Sequence, residues 1–118
     1  MKKILIAFVF IFASFGAQAN YLMSPTPMQH VPSAPVSVSV TTSSTQGVAI
    51  NANRTALECT NIGTSTAFLA YGANAAVLSS GTAIAPGVTW WMDDYLFTTA
   101  AVNVIGAAST TLSCQEMQ

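Results

Sequence analysis

Few side chains in this 118-residue chain have the types and spacing that chemistry needs. A nucleophile needs an activating base beside it. The many Ser and Thr residues have one histidine to draw on, His30, and it stands among prolines. Asp93 and Asp94 form a carboxylate pair, but neighbours on a strand point to opposite faces. A turn or a solvated rim is expected there, since two carboxylates alone are also too few for a calcium site. Two cysteines and one remote histidine do not make a metal-ligand set. No glycine-rich phosphate loop stands between a strand and a helix. The expectation is a protein that is not an enzyme and uses neither cofactor nor metal.

Three groups of residues remain. Cys59 and Cys114 each sit two positions after a leucine, in "ALEC" and "TLSC". On a strand each cysteine therefore points where Leu57 or Leu112 points, inward. A disulfide is the expected state in an exported chain; two buried free thiols are the alternative. Arg54 and Glu58 are four apart and would share a strand face, as a surface ion pair of small worth beside a structural turn. Asn53-Arg54-Thr55 also matches a glycosylation sequon, to which the bacterial look of the N-terminus gives little weight. Trp90, Trp91 and Tyr95 form an aromatic cluster. Alternation puts Val88, Trp90 and Met92 on the greasier face and turns Trp91 outward, beside Tyr95, where an aromatic ring can stack on a sugar or anchor a protein contact.

The elements that position these residues begin after the N-terminus. Met1-Lys2-Lys3 is basic, residues 4–15 are apolar apart from Ser14, and Ala17-Gln18-Ala19 is an A-x-A ending. That is a secretory signal peptide over residues 1–19, its apolar core shorter than the about 20 residues that span a bilayer. Cleavage before Asn20 would leave Arg54 as the sole base against Glu58, Asp93, Asp94 and Glu116. Such a chain lacks the clustered Lys and Arg that nucleic acid requires and has no electrostatic hold on a membrane after cleavage.

Pro25, Pro27, Pro32 and Pro35 make residues 20–47 a Pro/Ser/Thr-rich arm, with one short strand at 36–40 where "VSVSV" alternates. "TTSSTQG" reads as a polar loop. From residue 48 to 118, short apolar runs fall at 48–50, 55–60, 66–71, 75–78, 82–84, 88–91, 95–97, 100–105 and 110–115. Gly, Pro, Asn and Ser separate them, with firm turns at "NIG" and "APG". The pattern predicts an all-β fold, a small antiparallel β-sandwich of about seven to eight short strands, and no helix beyond the signal peptide.

The order "NANRTALECTNIG", "TAFLAYG", "IAPGVTWW", "AVNVIGAASTTLSCQE" resembles a family of small β-structured proteins encoded by tailed bacteriophages, over residues 51–116. The resemblance implies a non-enzymatic virion accessory, a capsid decoration, fibre or tail-associated β-sandwich. Its partners would be other coat subunits, copies of itself among them. The signal peptide and the cysteine pair point equally to export, and so to an alternative class. That class is a bacterial surface adhesin or pilin-like subunit, or a periplasmic carbohydrate-binding module that holds a glycan through Trp91 and Tyr95. The chain is thus expected at the periplasm or cell surface, or in a virion.

Overall fold

The protein is described by a computed structural model over residues 30–92 and 97–118. The expected signal peptide, residues 20–29 of the arm, Asp93, Asp94 and Tyr95 lie outside the described residues. Alternation decides which side chains enter the core. Leu57, Cys59 and Asn61 point inward from the strand Ala56–Asn61 (β3), and Thr110, Leu112 and Cys114 from Thr110–Met117 (β8). The other strands are Val36–Val40 (β1), Thr45–Val48 (β2), Ala67–Tyr71 (β4), Thr82–Ile84 (β5), Thr89–Trp91 (β6) and Val102–Gly106 (β7). Among the described residues the protein is all-β, with no helix.

Every strand pairing is antiparallel. One sheet runs β1-β8-β3-β6 and the other β2-β7-β4-β5. The pairs β1–β8, β2–β7, β3–β6 and β4–β5 are those of one long antiparallel ribbon folded end to end. Rolling that ribbon brings β8 beside β3 and β7 beside β4, which gives the strand order of a jelly roll. The two inner faces meet in a core of Val38, Val40, Leu57, Leu69, Ile84, Val102, Val104, Leu112 and their neighbours. Tyr71 and Trp90 pack against it with ring centroids 5.9 Å apart.

Several local expectations differ from the structure. The segment read as a polar loop contains β2, which pairs with β7 through a bulge between Gln46 and Val48. Gly47 carries no side chain to show alternation. A Cβ there would lie 2.8 Å from the Val104 side chain and 3.0 Å from that of Val38, so glycine marks a close approach of the two sheets. β1 and β2 are therefore integral strands of the sandwich, and no domain boundary falls between 47 and 48. Residues 75–78 are not a strand, although Ala76 is buried. Val88 is exposed, because it closes a turn ahead of β6 instead of lying in it. In that turn Val88 N–H donates to Ala85 O at 3.0 Å, with Pro86 and then Gly87 (φ 74°) at its centre. This is the type II arrangement, in which the third residue needs positive φ.

Candidate interaction surface

Arg54 is the sole Lys or Arg after Lys3, and it is buried. A Asn51-Ala52-Asn53-Arg54 turn delivers it: Arg54 N–H donates to Asn51 O (3.1 Å), and Asn53 N–H to the Asn51 side-chain carbonyl (3.0 Å). All five guanidinium donors are then used. Nε–H donates to Glu116 Oε1 at 2.6 Å, and Nη2 meets the same oxygen. Nη2 also donates to Ala49 O (2.6 Å), and Nη1 donates to Thr98 O (3.1 Å) and Ala100 O (2.8 Å). Asn51 Nδ2 donates to the other Glu116 oxygen at 2.9 Å. The carboxylate that Arg54 meets is thus Glu116, not Glu58. The reason is facing: Glu58 points out of its sheet, whereas the guanidinium turns inward to three backbone carbonyls on the β2–β3 and β6–β7 connections. A buried charge demands this full set of partners, so Arg54 is a structural clamp.

Asn61 is a second buried hub, fully enclosed. Its Nδ2 donates to Ser65 O and Ile84 O, both at 2.8 Å. Its Oδ1 accepts from Gly63 N–H and Thr110 Oγ1, both at 3.0 Å. The "NIG" turn was legible from the sequence; the burial of its asparagine was not, because nothing local distinguishes a turn asparagine from a core one. Cys59 and Cys114 are direct cross-strand partners with sulfurs at bonding distance, 2.08 Å, and both are buried.

The outer face of the β1-β8-β3-β6 sheet carries the aromatic residue singled out above. Trp91 is 54% exposed and stands opposite Glu58, which in turn stands opposite Gln115. Met92 N–H donates to Leu57 O in the adjacent pair, and Asn61 N–H to Val88 O three pairs along the same register. Glu58 and Trp91 are therefore a non-hydrogen-bonded pair, the kind with the closer side chains. One step along, the Thr60 and Thr89 hydroxyls are 2.8 Å apart. His30 stands beside the residue that precedes β3, with Nδ1 2.9 Å from the Thr55 hydroxyl.

Elsewhere, among the described residues, large apolar side chains are exposed and charge is sparse. Val31, Val36, Ile50, Ile62, Val77, Leu78, Val88 and Phe97 are exposed as well as Trp91. Among the described residues the Lys, Arg, Asp and Glu side chains are Arg54, Glu58 and Glu116, and two of these neutralise each other. No protein-family model, curated protein or solved structure matches this chain at a significant level.

Proposed function

We infer that the chain is a non-enzymatic structural subunit, a virion accessory of the phage type that decorates a capsid or belongs to a fibre or tail. The observation that supports this is the surface. Large exposed apolar side chains stand on a fold that, among the described residues, presents Glu58 as its one carboxylate outside an ion pair. Isolated soluble domains carry abundant surface charge, and near-neutral apolar surfaces associate. Jelly rolls recur among viral coat and lectin domains, which raises this reading by analogy of fold alone. The test is to band particles by density and assay them for the protein. Stoichiometric recovery with particles is expected, and recovery solely as a free periplasmic monomer overturns the reading.

A second reading, an exported bacterial surface subunit, is favoured by the Cys59–Cys114 pair, since disulfides persist in oxidising compartments. The intact non-reduced mass of the native protein tests it. A chain that begins at Asn20 and is two hydrogens lighter than the dithiol is expected on this reading. A full-length reduced chain overturns it.

A further inference from the structure

A cleft of about 290 Å³ opens where the edge strands β1 and β2 of the two sheets face each other. Ser33, Val36 and Val38 on the β1 side, the Gly47-Val48-Ala49 stretch on the other, and Cys114 wall it, and Glu116 is its acidic member. It has room for on the order of ten waters at about 30 Å³ each, yet its walls offer them little to bind. Val36 is 59% exposed at its rim. An apolar side chain with one polar tip suits such a space.

The chain itself carries one. Residues 20–29, "NYLMSPTPMQ", hold no charge and include Tyr21 and Met23, two positions apart, a spacing that puts side chains on one side of any extended segment. The fold fixes where this segment departs. Ser33 N–H donates to Glu116 O at 2.8 Å, and Val31 and Gln118 exchange both backbone hydrogen bonds, at 2.8 and 3.0 Å. Ser33 lines the cleft, and from there back to His30 the chain runs alongside the end of β8, past Glu116 to Gln118. Ten extended residues reach about 33–36 Å. Pro25 and Pro27 fix φ and favour an extended chain, which opposes the reversal that docking in the same copy would need. A neighbour's cleft needs no reversal. Glu116 Oε2 takes one hydrogen bond from Asn51 and has capacity for a second, from a tyrosine hydroxyl.

We propose that Tyr21 and Met23 of one copy dock in the β1–β2 cleft of a second copy, so that the proline-rich segment is an exchanged arm. This rests on the reading of the protein as an assembly subunit and names the contact that builds the assembly.

The test uses the mature chain from Asn20 with a photoreactive phenylalanine in place of Tyr21, in an equal mixture of normal and ¹⁵N-labelled copies. Cross-links from position 21 to residues 33–49 of the oppositely labelled copy are expected. In sedimentation, Y21S/M23S and V36S should each weaken self-association at least tenfold while melting as cooperatively as the parent. Mixing the two variants should restore part of the association, since one supplies the arm and the other the cleft. Unchanged association of Y21S/M23S overturns the arm and leaves the assembly reading standing. Cross-links confined to copies of one label also overturn it, by placing the arm in its own cleft. A parent chain that is monomeric at every concentration removes the assembly reading, and the arm with it.

Discussion

Arg54 and Asn61 stabilise the fold in the same way, by satisfying every polar group they bring inside. The Arg54 guanidinium meets Glu116 and three carbonyls from two connections, through a planar fork that an ammonium cannot reproduce. Arg54→Lys should therefore cost about 3 kcal/mol, the low end of the range for breaking a buried pair, read as a lower urea midpoint at unchanged slope. Asn61→Ala removes the donor from Ile84 O and Ser65 O and should cost about 2–3 kcal/mol, since unsatisfied buried groups bear the desolvation penalty. Trp91 is different. It is more than half exposed, and Trp91→Ala should change stability by less than about 1 kcal/mol, the scale of a cross-strand pair. If the same variant loses retention on an immobilised glycan that the parent binds, the face around Glu58 and Trp91 is a sugar platform; equal retention excludes that role.

At the scale of elements, the ribbon pairs set which strands meet and the cysteines tie two of them. β3 and β8 lie side by side in the middle of one sheet, and Cys59 and Cys114 close a loop with sequence separation 55. In the chain-entropy model a loop of that length contributes about 4 kcal/mol. Full reduction should lower unfolding free energy by about that amount, measured by urea titration with and without a strong thiol. β2 is held by less, a short bulged edge strand whose Gly47 is wedged against Val104 and Val38. Gly47→Ala should destabilise by about 1–3 kcal/mol, the usual range for overpacking, and hydrogen exchange should show β2 opening before β3.

Among the described residues the molecule is a sandwich whose inner faces are mostly apolar and whose outer surface carries little charge. Apolar burial, not ion pairing, must then drive any self-association. Raising salt from about 50 to about 500 mM should leave the association constant within about a factor of two, because screening acts on charges. A steep fall with salt in sedimentation would contradict this account of the surface. The cleft between β1 and β2 belongs to the same scale, since no single strand forms it and it exists only where the two sheets' edges face each other.

Alternation along "ALEC", "TLSC" and "VSVSV" was enough to predict strands and their inward faces, the two cysteines included, because side-chain direction in a strand is a local property of period two. The turn at Pro86-Gly87 was equally local, since proline and positive-φ glycine specify it without help. The partners of Arg54 were not local. Glu116 lies 62 positions away, and Glu58, the nearer carboxylate, points to the other side of the sheet. Neither the buried role of Asn61, nor β2 hidden behind a glycine, nor the cleft could be read from neighbours in sequence. Each depends on which segments the rolled ribbon brings together, and only the tertiary structure decided that.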